Sequence, residues 1–377
     1  MVRDWHVVMA GACNLRCSYC ATDFGRFGRK GGVMSLKTAA RLADRIAAAA
    51  DLRRRKVKVA FGGGETFLHF DRFLEIADLI ADRCGRRGVR VRLSVTTNGT
   101  LLNEARLREL AKREVSLTFS INGPERVHDA CRRSARGRGT FRAAFANWSR
   151  YREIVRRMPS APGCSVHSVF GPPSGPLRDI IEFWLEQGVP LQDFAPQAAS
   201  PYRPGADRGL AGRVSRRYLA DLREWASGQA QACTPADFLG RYRGPRMIYI
   251  GWKRLLFGEE RAVCSPGLGM LAVDRAGAIY PCEAYVGSER WKLGDVERGV
   301  DPERMARFAA RLAQAAAICA RCASRLACEK PCLASVPAAT PAQNVRRQCG
   351  TMKKASAIVR DSFEQLMQND RKEAANA

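Results

Sequence analysis

Along the first half of the chain, short runs of alternating apolar and polar positions are separated by longer stretches in which apolar residues recur every three or four positions. The first pattern predicts strands at residues 5–9, 57–61, 89–95, 115–121, 164–170 and 191–195. The second predicts amphipathic helices, one capped by Ser35 and running to about residue 50, the others over roughly 69–83, 104–112, 141–156 and 177–187. Strand followed by helix, repeated in this way, implies a parallel sheet with right-handed crossovers. Periodicity does not separate a partial barrel from an open doubly wound sheet. From about Pro201 the alternation stops, helices follow to about Phe257, and a cysteine-rich segment comes after them. The expected organisation is a strand–helix domain at 1–200, a helical linker at 201–257 and a cysteine-rich domain at 258–377 that ends in a helix and frays beyond Asp370.

At 377 residues and 46% hydrophobic content the chain can bury a large core. No apolar run is long enough to cross a bilayer, and the opening MVRDWHVVMAG lacks the features of a signal peptide, so a cytoplasmic protein with no membrane partner is expected. In that compartment fourteen cysteines point to metal or cluster ligation rather than to disulfides. The net charge of +26 suits an anionic partner. No basic motif interleaved with aromatics accompanies it, which argues against nucleic acid.

Chemistry enters directly after the first predicted strand, where Cys13, Cys17 and Cys20 stand at spacings of three and two. Three thiolates leave one iron of a four-iron cube without a protein ligand, open to another molecule. A structural zinc site wants four ligands, and no fourth Cys or His stands nearby. After the second strand comes Gly62-Gly63-Gly64-Glu65, where glycines let the backbone approach a ligand and the carboxylate can pair with an ammonium group. Thr97-Asn98-Gly99 ends the third strand, and Ser120 to Pro124 ends the fourth.

The three-cysteine loop, with Tyr19 before its last cysteine, resembles the signature of the radical S-adenosylmethionine superfamily. That resemblance implies a [4Fe-4S] cluster on Cys13, Cys17 and Cys20, S-adenosylmethionine chelated at its open iron, and a 5′-deoxyadenosyl radical that takes hydrogen from the substrate. Gly63, Gly64 and Glu65 resemble the family's Gly-Gly-Glu element, with Thr66 where proline is more usual. Thr97, Asn98, Ser120 and Asn122 fall in segments that the family uses for adenosine ribose and substrate contacts, Asn122 standing where Asp is more usual. His128, Asp129 and Arg132 lie in a helix-start segment that also resembles the family's. All these elements sit at the C-terminal ends of strands, the catalytic face of a parallel barrel, so the fold expected is α/β, a partial (β/α)6 barrel.

Further on, Cys264, Cys282, Cys319, Cys322, Cys328, Cys332 and Cys349, with Asp274 and Gly277 among them, resemble the SPASM extension of radical enzymes that modify peptides and proteins. The resemblance implies two auxiliary [4Fe-4S] clusters, three in all. One is complete on Cys319, Cys322, Cys328 and Cys349. The other has Cys264, Cys282 and Cys332 alone, because Gly258 stands where some relatives carry a fourth cysteine; its last iron is open, or is filled by water, Glu259, Glu260 or the remote Cys233. Glu283 occupies the place of an aspartate base in relatives that oxidise a sulfatase serine or cysteine, and the same residue reads equally as a hydrogen-bond acceptor or a solvated side chain. Cys84, Cys131, Cys164 and Cys233 read as buried hydrophobes.

The stretch from Ala21 to Ser35 resembles the corresponding loop of maturases that build thioether crosslinks. Together with a three-cysteine auxiliary cluster it favours oxidative thioether or carbon–carbon crosslinking of a ribosomal peptide. Two other readings stand beside it: a small, phosphate-bearing or nucleotide-linked metabolite in natural-product biosynthesis, and oxidation of a protein serine or cysteine as in sulfatase maturation. The resemblance further implies a flavodoxin- or ferredoxin-type electron donor. Since the first strand begins almost at once, a separate peptide-recognition protein is a candidate partner.

Overall fold

A computed structural model describes residues 2–27, 31–50, 55–170, 176–189, 194–198, 208–232, 234–235, 246–258, 266–328, 332–334 and 339–376. Six parallel strands, β1 (Asp4–Val8), β2 (Lys56–Phe61), β3 (Arg90–Thr97), β4 (Ser116–Ser120), β5 (Cys164–Phe170) and β6 (Phe194–Ala198), lie side by side in chain order. The crossovers carry α1 (Leu36–Ala49), α2 (Phe70–Gly85), α3 (Glu104–Lys112), α4 (Glu125–Cys131), α5 (Phe141–Arg156) and α6 (Leu177–Glu186). This is the partial barrel expected from the motifs.

Local chemistry sets the helix ends. Ser35 Oγ accepts the Thr38 N–H at 3.1 Å and starts α1, and Asn103 does the same for Arg106 at 2.9 Å at the start of α3. The apolar stripe of α2, Phe73, Ile76, Ala77 and Ile80, is buried against the sheet, with Phe61 and Phe67 meeting Phe73 edge-on at 5.0 and 5.5 Å. Each such side chain contributes on the order of 1.5–3 kcal/mol by leaving water.

The strand expected at 191–195 forms at Phe194–Ala198, where its register against β5 pairs Phe194 with Val166. Its Pro196 is tolerated because β6 is the edge of the sheet. Residues 191–193 lie outside the described residues.

On its other side β1 pairs in parallel with β7 (Met270–Asp274), and the sheet runs on antiparallel through β8 (Ala278–Tyr280), β9 (Gly294–Asp295) and β10 (Gly299–Val300). The cysteine-rich segment therefore begins as a continuation of the barrel's own sheet. Helix α7 (Arg208–Ala232) and α8 (Arg246–Phe257) precede that hairpin; α9 (Pro302–Ala320) and α10 (Pro341–Asn376) follow it. Leu222, Ala226, Trp252, Ile358 and Val359 form a second apolar cluster among α7, α8 and α10. In it the buried Trp252 indole donates to Val359 O at 3.1 Å. The last helix continues to Asn376 instead of fraying at Asp370. No helix among the described residues is long and apolar enough to cross a membrane.

Candidate functional site

The cysteine loop leaves the C-terminal end of β1 and is locked onto the glycine turn that follows β2. Glu65 N–H donates to Ala12 O at 2.9 Å, and a Cβ added to Gly64 would fall inside the van der Waals surface of that same oxygen. Only glycine permits this approach. Gly64→Ala is expected to displace the loop, costing about 1–3 kcal/mol by overpacking. Lower iron content per chain after anaerobic reconstitution, with a lower melting midpoint, checks this.

Glu65 is buried and three donors hold its carboxylate: Thr97 Oγ at 2.8 Å and Phe67 N–H at 3.1 Å on one oxygen, Asn98 N–H at 2.7 Å on the other. Burial raises its pKa, and these hydrogen bonds oppose that shift. A carboxylate offers about four acceptor directions, so one remains for a further donor. Asn98 reaches the cysteines as well, its Nδ2 lying 3.8 Å from Cys13 Sγ and donating to Asn14 Oδ1 at 2.9 Å. The motifs after β1, β2 and β3 thus form one hydrogen-bonded unit.

The sulfurs carry backbone donors, Leu15 N–H on Cys13 at 3.4 Å and Phe24 N–H on Cys20 at 3.2 Å. Burial pushes the Cys13 thiol up to about 11 and raises Cys17 too, while the Arg132 guanidinium pulls both the other way. Beyond Cys20, Asp23, Phe24 and Phe27 take φ of 49°, 55° and 53°, backbone strain concentrated beside the site.

Opposite the cysteines lies a second polar group, from β4 and α4. Arg132, buried, donates to Tyr19 Oη at 2.9 Å, and Tyr19 in turn donates to Asn122 Oδ1 at 2.9 Å. Burial lifts the Tyr19 phenol to about 12, so it stays protonated and acts as the donor. Asn122 Oδ1 also accepts the Val169 N–H at 3.2 Å, which fixes the amide's orientation. Two buried donors are left without partners, Asn122 Nδ2 and Arg132 Nε. Unpartnered donors this deep are rare and point to an anionic or carbonyl-bearing ligand. Ser120 closes β4 in register with His167.

His128 and Asp129 prove to be braces. His128 Nδ1 accepts the Asn122 N–H at 3.3 Å, and its Nε2 faces Thr140 Oγ at 3.1 Å, whose own proton goes to Arg132 O at 2.7 Å. The ring is therefore neutral with hydrogen on Nε2, and burial holds its pKa down to about 3. Asp129 Oδ1 accepts the Thr140 and Phe141 N–H groups at 2.7 and 2.9 Å at the start of α5. Because only the unfolded chain protonates His128 between about pH 6.5 and 3, stability is expected to fall as pH drops through that window. Denaturant midpoints at pH 7 and pH 5 measure it; His128→Gln is expected to flatten this part of the slope.

Toward the C-terminus, Cys319, Cys322, Cys328 and Cys349 line one cavity of about 360 Å3, together with Arg321, Arg325 and Lys353. Burial, then Cys322 and Cys328, raise the Cys349 thiol, so these sulfurs lie within electrostatic reach of one another. Among the described residues no three His, Cys, Asp or Glu side chains close around a point as a single metal ion requires. Spread around a cavity, four thiols are the donor set that a [4Fe-4S] cluster takes, and the three cations would offset its charge.

Cys282 and Cys332 belong to neighbouring turns. Tyr285, one turn after Cys282, donates from its hydroxyl to Leu333 O at 2.8 Å, and Gln348 donates to Cys332 O at 2.7 Å. Cys264, Cys233, Glu259 and Glu260 lie outside the described residues.

Glu283 faces back into the barrel. Its carboxylate approaches the position of a Gly62 Cβ to 3.3 Å and lies 3.5 Å from His6 Nδ1, on β1. Both side chains are partly open, His6 at 28% and Glu283 at 33% exposure. The pair joins the cysteine-rich extension to β1 and the glycine turn of the barrel.

A family model described as "Radical SAM superfamily" matches residues 7–181, the span that contains the cysteine loop, the glycine turn and the Tyr19–Asn122–Arg132 group. That segment is a radical SAM domain. The chain is an enzyme that uses S-adenosylmethionine, and the domain implies a [4Fe-4S] cluster. Among curated proteins it is similar to the cysteine-type anaerobic sulfatase-maturating enzyme of Clostridium perfringens, 22% identical over 76% of this chain and 75% of that one. It is also similar to the serine-type enzyme of Klebsiella aerogenes, 31% identical over 37% of this chain and 35% of that one. Among solved structures, native anSMEcpe with bound AdoMet and Cp18Cys peptide shares the fold with a TM-score of 0.75 at 18% identity, covering 99% of each chain. The likeness therefore takes in the cysteine-rich extension as well as the barrel.

Arg132 and His6 are the site residues whose part the sequence concealed. The alternation of β1, which places His6 on the face opposite Trp5 and Val7, was the available signal for one of them.

Proposed function

We propose that this radical S-adenosylmethionine enzyme oxidises a side chain of a peptide or protein substrate, a serine or cysteine before others. The observation that carries the reading is Glu283, a carboxylate set between Gly62 and His6 in the turn directly after Cys282. When bound, S-adenosylmethionine with the reduced cluster supplies a 5′-deoxyadenosyl radical, which takes a hydrogen atom from the substrate carbon. Cys13, Cys17 and Cys20 hold that cluster. Gly63, Gly64, Thr97 and Ser120 would help to hold the cofactor, and Glu65 would take its ammonium group. Arg132 and Asn122 give their unpartnered N–H groups to its carboxylate end. Glu283 accepts the proton that the substrate carbon or its heteroatom loses as the second electron leaves. Cys319, Cys322, Cys328 and Cys349, and Cys264, Cys282 and Cys332, would hold auxiliary clusters able to take up that electron, and a flavodoxin- or ferredoxin-type donor would supply the first.

The relatives named sulfatase-maturating, and the similar structure that holds a peptide, support this choice of substrate. A second reading, capture of a substrate thiolate at the first auxiliary cluster to close a thioether, is favoured by the absence of a cysteine at position 258. Oxidation of a serine and closure of a thioether each remove two hydrogens, so mass alone does not part those two; a cysteine that loses two hydrogens becomes a thioaldehyde, which water converts to the aldehyde with release of hydrogen sulfide. Incubating the reconstituted enzyme with an 18-residue peptide carrying one cysteine, then trapping with a hydrazide, parts the two readings. Hydrazone formation dependent on S-adenosylmethionine supports oxidation to an aldehyde; a crosslink resistant to alkylation, with no hydrazone, moves the assignment to thioether closure.

A further inference from the structure

The site accounts for little of the +26 charge. One part of the excess is organised. Between the turn at Glu289–Trp291 and the first half of α9 lies a concavity of about 320 Å3. Arg290, Lys292, Arg304, Arg307 and Arg311 line it, against a single acidic residue, Glu289. Its floor is aromatic: Trp291 and Phe308 are buried and meet edge-on at 5.7 Å. The Arg290 and Arg311 guanidinium groups lie 4.9 and 5.3 Å from the Trp291 ring centroid.

We propose that this groove binds an acidic, extended segment of the peptide substrate, away from the residue that is oxidised; the inference rests on the reading of the substrate as a peptide. Arg304, Arg307 and Arg311 recur at i, i+3 and i+7, which sets them in one row along α9, about 10 Å long. A row of that length matches about three residues of an extended chain. A single phosphate would need a point clamp instead. Two of the charges that meet this row are exposed and weakly engaged, Glu303 on Arg307 at 3.4 Å and Asp301 on Arg304 at 3.7 Å, so they yield readily to a better-placed partner. The aromatic floor gives apolar side chains between the acids a place to lie. A globular donor protein would present a convex face of roughly 800 Å2, which a concavity of this size does not fit.

The test uses the reconstituted full chain and a fluorescein-labelled decapeptide of alternating glutamate and leucine, read by anisotropy at low salt. Replacing Lys292→Glu and Arg307→Glu together is expected to weaken binding at least about tenfold. An equal change of charge at Arg87→Glu and Arg150→Glu, exposed residues outside the groove, is expected to leave it within about twofold. The milder pair Lys292→Gln and Arg307→Gln, expected to fall between, keeps the result readable if the reversals disturb α9. Equal losses from groove and control variants overturn the proposal, since general charge then explains binding. It is equally overturned if an oligouridylate of the same charge binds more tightly and is the ligand lost in the groove variant. Oxidation of the short cysteine peptide, which lacks an acidic segment, is expected to be the same in all these proteins; its failure in the wild type would refute the proposed reaction and leave the binding result standing.

Discussion

Arg132→Met is expected to weaken S-adenosylmethionine binding by between about 30-fold and several thousand-fold, the span that follows from removing one member of a buried, hydrogen-bonded charge pair at about 2–5 kcal/mol. The guanidinium is buried, donates to Tyr19 at 2.9 Å and keeps Nε unpartnered beside the equally unpartnered Asn122 Nδ2. In the proposed function both donors go to the carboxylate end of the cofactor. Lysine does not restore this, because its ammonium group cannot offer two parallel donors while holding Tyr19. Equilibrium binding to protein with full iron content measures the effect. Unchanged affinity would show that Arg132 serves only to balance the charge of the cluster.

Glu283→Gln is expected to separate radical formation from product formation. The variant keeps its size and its place beside Gly62 but cannot take a proton. Formation of 5′-deoxyadenosine should therefore persist while oxidised peptide falls by about 10²–10⁴-fold, the usual range for losing a general base. Counting both products in one quenched reaction gives the ratio. A parallel fall in the two would place Glu283 in cofactor or substrate binding instead, and unaltered turnover would remove it from the chemistry.

The barrel was legible because each strand–helix unit carries its own local signal. The helices at 104–112 and 141–156 and the strand at 164–170 form at the residues their periodicity marks. Helix α9 was open to the same reading, since Asp301 caps it and Pro302 fills its first turn, yet its Arg- and Ala-rich sequence shows only a narrow apolar stripe. In the site, the cysteine spacing and the glycine turn are short-range patterns and could be read directly. The Tyr19–Asn122–Arg132 contacts and the His6–Glu283 pair join residues far apart in sequence. No local pattern encodes such contacts; they follow only from strand order.

Strand order has a further consequence, for biogenesis. Trp5 at the start of β1 pairs with Val59 on one side and with Leu271 on the other. A ribosome thus delivers β1 and its three cysteines long before it delivers β7, and over that interval the strand that leads into the cluster loop has one bare edge. Bare edges recruit other chains. Until the last third of the chain is made, the strand that leads into the cysteine loop is therefore an edge that only β7 can cover.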